Sequence, residues 1–396
     1  MVILFFFCVI LVYLCATNFI NMRKLHFILL LLALFLGAGV YAQSDASYKL
    51  TNKGVIKTIE SEEGVEQYNI AKPIVVLKPR YELDTEEGYS RFSIESARLG
   101  VKGDLSKLLS YCFQIDFCAE NKLNVLDLYA VIKPLDRLSF TVGQHGLSLF
   151  NPWTVSPNAV DFINRPFIGK WFTSSRDIGV TMKYALKKNG FPINLEFGVY
   201  NGSGINNPTW NKSLATGGKI EFGSTTQGFR MSGRFYNVKD ENGNADLYLG
   251  GDLRYVSQNL KLEAEYMTKQ YGTEIYNDIN KSSVSGTNGR AVLTNAKAHS
   301  AAHVQGMYKI KVKSNAFSRI EPLVRWDAIG YDVHERGFGV NRITAGANFV
   351  LKTVSCTSMF RINYEHFITN SMDMSEMFKN GINCDNKLSV EYLLYF

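Results

Sequence analysis

From about Pro73 to Phe396, apolar and polar residues alternate with a period of two, the pattern of strands whose two faces meet different surroundings. Tyr111, Phe113, Ile115 and Phe117 interleave with Cys112, Gln114 and Asp116. Leu260, Leu262, Ala264 and Tyr266 interleave with Lys261, Glu263 and Glu265. Alternation and strand length predict about sixteen such segments, near 77–83, 92–102, 109–118, 125–133, 138–144, 177–184, 193–200, 216–222, 229–236, 247–255, 260–267, 302–310, 319–327, 341–350, 359–367 and 388–396. Every second link between them is short: 103–108, 134–137, 185–192, 223–228, 256–259, 311–318 and 351–358. The intervening links include long ones at 145–176, 201–215, 268–301, 328–340 and 368–387. Short turns on one side and long loops on the other are the habit of an outer-membrane barrel, whose turns face the periplasm.

No helical layer is available to cover the apolar faces, and the polar faces carry charged groups in strand after strand. Lipid can cover the apolar side, but it leaves backbone groups no partner except the next strand, so the sheet must close. About sixteen strands close around a wet lumen rather than a packed core. A register slipped by one residue would put Arg and Lys at the bilayer midplane, at roughly 2–4 kcal/mol each. The predicted fold is therefore all-β: a transmembrane antiparallel β-barrel of about 16 strands over 73–396.

Composition agrees. The chain is 46% hydrophobic, 13% aromatic and 20% charged, which excludes a disordered chain, a collagen-like repeat and a small disulfide scaffold. A net charge of +7 is too modest to argue for nucleic acid. From Met22 the chain runs through Arg23 and Lys24 into the apolar Leu25–Gly39 stretch and then Val40-Tyr41-Ala42, a signal peptide over 22–42 cleaved after Ala42. Residues 1–21, apolar and uncharged, read as an upstream start-site extension, with a true N-terminal anchor as the rival. Gln43 to Lys72 is polar and reads as an irregular, mobile periplasmic segment. Cys112 and Cys118 are too far apart along a strand to bridge, and no cysteine spacing suggests a metal or redox site.

The final strand sets Leu388, Val390, Tyr392, Leu394 and Phe396 against Ser389, Glu391, Leu393 and Tyr395. A terminal aromatic closing an alternating strand resembles the C-terminal signal read by the barrel assembly machinery, carried here by Phe396, Leu394 and Tyr392. An ordinary edge strand is the alternative.

Several motifs in order resemble those of the phosphate-selective porins O and P. They are Phe92 to Gly103 (with Ala97-Arg98-Leu99-Gly100), Gln114-Ile115-Asp116-Phe117, Leu126-Asp127-Leu128-Tyr129, Val142-Gly143-Gln144, Phe162-Ile163-Asn164-Arg165-Pro166 and Ser175-Arg176-Asp177-Ile178-Gly179-Val180. The resemblance runs from about Arg80 to Phe396 and is densest in the first half. It implies a sixteen-stranded, usually trimeric porin with an inward-folded third loop. Phosphate-selective members line the pore with an arginine ladder and a lysine cluster. Here the inward bases, among them Arg98, Lys102, Arg230, Arg234 and Arg254, are interleaved with nearly as many inward acids, among them Asp116, Asp127, Asp252, Glu263 and Glu265.

The link from Gly146 to Arg176 is the candidate constriction, since a long ordered loop is usually functional. It holds Asp161, Arg165, Lys170-Trp171 and Arg176. Cationic rings favour anions and donate to phosphate oxygens. Arg98, Lys102, Arg165, Lys170, Arg176, Arg230, Arg234 and Arg254 are the expected anion contacts, with Arg165, Lys170, Arg98 and Arg230 first. An Arg165–Asp161 pair that merely pins the loop is the alternative, because buried charges are usually paired. His299 and His303 have helical metal spacing but read as part of a loop entering a strand, with no third ligand. No cofactor motif and no catalytic triad spacing stands out. The leading expectation is an outer-membrane porin passing small anions, phosphate among them, or small polar solutes, in partnership with the lipid bilayer and as a homotrimer. A barrel enzyme and a plugged structural or adhesive barrel are the alternatives.

Overall fold

The computed structural model describes residues 46–51, 54–61, 64–118, 123–156, 159–188, 191–224, 226–239, 243–275, 296–353, 356–369 and 384–396. The expected signal peptide and upstream extension lie outside the described residues, as do 276–295 and 370–383 of two long links. The chain divides into two compact units, residues 1–49 with 57–67 and residues 50–56 with 68–396. The described part of the first falls in β1 (Ala46–Thr51), β2 (Gly54–Ser61) and the start of β3 (Gly64–Asp84).

The second unit is the barrel. After β3 come β4 (Ser90–Asp104), β5 (Leu109–Asp116), β6 (Asn124–Leu135), β7 (Leu138–Gly146), β8 (Arg176–Lys188), β9 (Phe191–Tyr200), β10 (Ala215–Gly223), β11 (Gly228–Lys239) and β12 (Ala245–Val256). They are followed by β13 (Leu260–Ile275), β14 (Ala296–Tyr308), the two-residue β15 (Ile310–Lys311), β16 (Phe317–Tyr331), β17 (Val340–Leu351), β18 (Thr357–Thr369) and β19 (Lys387–Tyr395). Each of β3 to β14 pairs antiparallel with the next, β14 pairs with β16, and β16 to β19 continue in turn. β19 then returns to β3, Leu388 opposite Leu83 and Leu394 opposite Leu77, so 16 strands form a closed wall. All sixteen predicted segments lie within or against these strands, and the short and long links alternate as expected.

Two differences from the sequence expectation have physical causes. First, the 43–72 segment is not irregular throughout: β1, β2 and the first part of β3 fall in it. Between Gly64 and Lys72 both faces carry polar groups, so alternation gives no signal. Strand pairing supplies the order instead, with Lys72 opposite Lys102 and the Ile70 carbonyl accepting from the Tyr111 hydroxyl at 2.9 Å. Second, β4 carries a bulge. Lys78 faces Ser96 but Pro79 faces Ile94, which leaves Glu95 without an opposite residue on β3. Proline has no N–H for the ladder and is found at bulges for that reason. The extra residue turns Phe92 and Ile94 outward, where both are exposed, and sends Glu95 to the same side as Ser96.

The two faces of the wall are chemically distinct. Outward residues such as Leu128, Val180, Met231, Leu253 and Val324 are exposed hydrophobics. Inward residues are charged, and the register sets opposite signs across neighbouring strands: Arg98 by Asp116 at 2.8 Å, Lys183 by Glu196 at 3.0 Å and Lys219 by Glu196 at 3.3 Å. Such cross-strand pairs stabilise a register whose other face lies in lipid. Val324 sits at the centre of β16 with 54% exposure. Val324→Arg is expected to cost about 2–4 kcal/mol in urea unfolding from lipid vesicles. A loss near zero would show that this face is not in hydrocarbon.

Candidate pore and constriction

The link between β7 and β8 folds into the lumen. Its neck is closed by the Leu147 N–H on the Ser175 carbonyl at 3.0 Å. A one-turn helix α1 (Pro152–Val155) and a 3₁₀ turn at Phe167–Gly169 give it local order, with proline at the helix start where its missing N–H is harmless. Leu149, Phe150, Phe167, Ile168 and Phe172 of the loop are buried against Tyr200, Tyr236, Met267, Ile329 and Val340 of the wall. At about 1.5–3 kcal/mol for each large side chain buried, this contact holds the loop inside the barrel. Glycine makes room for one of its anchors: a Cβ on Gly198 would stand 2.1 Å from the Tyr200 hydroxyl. That hydroxyl bonds Thr181 Oγ1 at 2.7 Å and Ser148 Oγ at 3.0 Å, tying the wall to the loop's first residues.

Polar locks complete the docking. The wall arginines donate to loop carbonyls: Arg361 to Val160 at 2.8 Å, Arg325 to Asn164 at 3.0 Å and Arg342 to Arg165 at 2.8 Å. Asn164 accepts from Arg80 at 3.0 Å and donates to Glu365 at 2.8 Å, and the Ile163 N–H donates to Asn363 at 2.8 Å. At the helix tip Asn151 donates to Asp252 at 2.8 Å, and Trp153 lies beneath the Arg230 and Arg254 guanidiniums at 4.2 and 3.7 Å. Asp161 pairs with Lys261 at 2.6 Å, not with Arg165.

The expected anion contacts divide into two groups. Those on the wall or at the loop's end already hold carboxylates. Arg98 pairs with Asp116 at 2.8 Å, and Arg176 grips Asp127 with two bonds of 2.8 and 3.0 Å. Arg230 lies between Glu221, at 2.8 Å, and Asp252. Arg234 holds Asp252 at 2.8 Å and also Glu265, while Arg254 stands 3.9 Å from Glu263. Lys102, Arg165 and Lys170 are different: among the described residues none has a carboxylate within ion-pair distance. Lys102 is exposed near the short-turn end of β4, opposite Lys72 and Cys112. Lys170 is exposed, with its ammonium 5.3 Å from the Trp171 ring. Burial pulls Arg165 down to about 10, with Arg98 and Arg176 adding repulsion. Partial desolvation also lowers Lys170, helped by Lys387.

His299 and His303 both lie in strand β14, not in a loop. Four residues along a strand separate them by roughly 13 Å, so they cannot share a metal. His299 meets the Tyr271 hydroxyl at 2.6 Å, and His303 stands 3.9 Å from Glu265. Alternation in the sequence could not show the buttressing role of Arg325, Arg342 and Arg361, because it gives parity but not what lies across the lumen.

Residues 81–216 match the model of the family described as phosphate-selective porin O and P. Over this stretch the chain is similar to that family, and with the closed barrel this supports a porin. No curated relative matches it. The porin resembles OmpF of Salmonella typhi, solved in complex with daunomycin, at TM-score 0.55 and 13% identity over 88% of this chain and 100% of that one. It also resembles the outer-membrane channel DcaP of Acinetobacter baumannii, at 0.54 and 14% over 85% and 99%. A third is OprB of Pseudomonas putida, in its high-pH structure, at 0.52 and 12% over 83% and 93%. These likenesses establish the fold, and with the family match they support a porin-like barrel of the outer membrane.

Proposed function

We propose that this porin gives passive diffusion to small anions, phosphate among them, through a constriction carried by the 147–175 loop. The observation that carries the reading is the split among its cations. Wall arginines are paired with carboxylates and loop carbonyls, while Arg165 and Lys170 stand on the constriction loop with no acid partner among the described residues. Fixed positive charge at a narrow, water-lined point raises the local anion concentration. Lys102 extends the positive path towards the short-turn rim, and the paired Arg98 and Arg176 lend only screened charge. A plugged barrel is the second reading, favoured by the apolar cluster that buries much of the loop.

Purified porin in a planar bilayer under a potassium chloride gradient decides between them. The expected result is stable conductance with a reversal potential on the chloride side. A potassium-side potential would overturn the anion preference, and absence of conductance would favour the plug. We infer further that the porin is a homotrimer and that Tyr392, Leu394 and Phe396 present the strand that assembly machinery reads. A single-barrel mass in mild detergent would count against the trimer.

A further inference from the structure

Glu95 is a carboxylate that strict alternation places in lipid and the bulge opposite Pro79 places in the lumen. Its side chain is 50% exposed, unlike the acids of the wall network, which are nearly all buried. It stands 3.4 Å from Arg80 Nη1, the same nitrogen that donates to Asn164 of the constriction loop. Its negative charge also acts on Lys78, Arg165 and Lys170. The other terminal nitrogen of Arg80 holds buried Glu391 at 2.8 Å, a carboxylate that Lys78 and Arg361 also share. Glu95 is therefore a water-accessible carboxylate beside the constriction loop, on a position that strict alternation would give to lipid.

We propose that Glu95 is a specificity-determining residue, a tethered counter-ion that occupies the oxyanion subsite at Arg80, next to the constriction loop that carries Arg165 and Lys170, and must be displaced by a passing anion. This rests on the anion reading above. A carboxylate presents the same geometry to a guanidinium as a free carboxylate or phosphate does, so it competes for the same donors. Competition from a tethered group lowers the apparent affinity for the diffusing one and speeds its release, which favours flux over retention.

The test compares wild type, Glu95→Gln and the charge-keeping Glu95→Asp in planar bilayers, each checked for heat-shifted migration as folded barrel. In Glu95→Gln the chloride-to-potassium permeability ratio is expected to rise about two-fold or more, the effect of removing one unit charge beside a wet path. The inorganic phosphate concentration that halves chloride current should fall about two-fold. Glu95→Asp should stay near wild type. An anion-preferring wild type whose ratio and phosphate block are both unchanged in Glu95→Gln overturns this proposal alone. A wild type that prefers potassium overturns the anion reading and this proposal with it.

Discussion

Replacing Asp252 by asparagine is expected to produce the largest single loss of stability in the lumen, about 3–5 kcal/mol, the range for removing one partner of a buried ion pair. Asp252 accepts from Arg230, from Ser232, from Arg234 at 2.8 Å and from Asn151 at 2.8 Å. No other carboxylate described here gathers two arginines, a hydroxyl and the tip of the constriction loop. Asparagine is close to the same size, so no cavity opens. It removes the negative charge, and its N–H₂ cannot accept from the Arg230 and Arg234 guanidiniums, which only donate. Glu221 and Glu265 remain on the far sides of Arg230 and Arg234, which keeps the loss from doubling. Urea unfolding in lipid vesicles measures the stability. Single-channel recording measures the second consequence: with the Asn151–Asp252 bond lost, α1 keeps the Arg230 bond to Asn151 at 3.2 Å and the Trp153 stacking, and open-channel current should become larger and noisier. A variant as stable and as quiet as wild type would mean that water, not Asp252, satisfies these arginines.

The barrel was legible because lipid is an unforgiving solvent. Leu253 and Val324 must face out and Asp252 and Arg325 must face in, and a period of two records that choice residue by residue. Link lengths carried the constriction loop's position for the same reason. What stayed hidden was whatever depends on distance across the lumen. Arg230 on its strand and Arg165 in its link are both expected anion contacts in the sequence, yet one is shared by two carboxylates and, among the described residues, the other has none, and neither parity nor link length tells them apart. The pairing of Asp161 with Lys261, a hundred residues away, is of this kind. Glu95 was hidden by a different cause. One added residue in a strand reverses the faces before it, and the only trace was Pro79 on the neighbouring strand. A proline inside an otherwise regular strand is thus the signal that would have revealed it.

Neutralising Arg165 and Lys170 together is expected to remove most of the anion preference, lowering the chloride-to-potassium permeability ratio about five- to ten-fold in low salt, where the Debye length is about 30 Å and fixed charges act across the whole lumen. Arg165→Gln with Lys170→Gln leaves the loop's backbone locks untouched, because Arg342 holds the Arg165 carbonyl and not its guanidinium. The wall arginines remain but are compensated pair by pair, so they contribute little to the ratio. At 1 M salt the Debye length falls to about 3 Å and the difference between variant and wild type should shrink. Acidity gives an independent check. Both groups are cationic below their pKa values, and desolvation lowers both, Arg165 to about 10 and Lys170 below the usual lysine range. Raising the pH therefore strips positive charge from the constriction before ordinary surface lysines titrate. The wild-type reversal potential should move towards potassium as the pH approaches 10, while that of the double variant should stay nearly level. Parallel curves would assign the titration, and with it the selectivity, to cations elsewhere in the barrel.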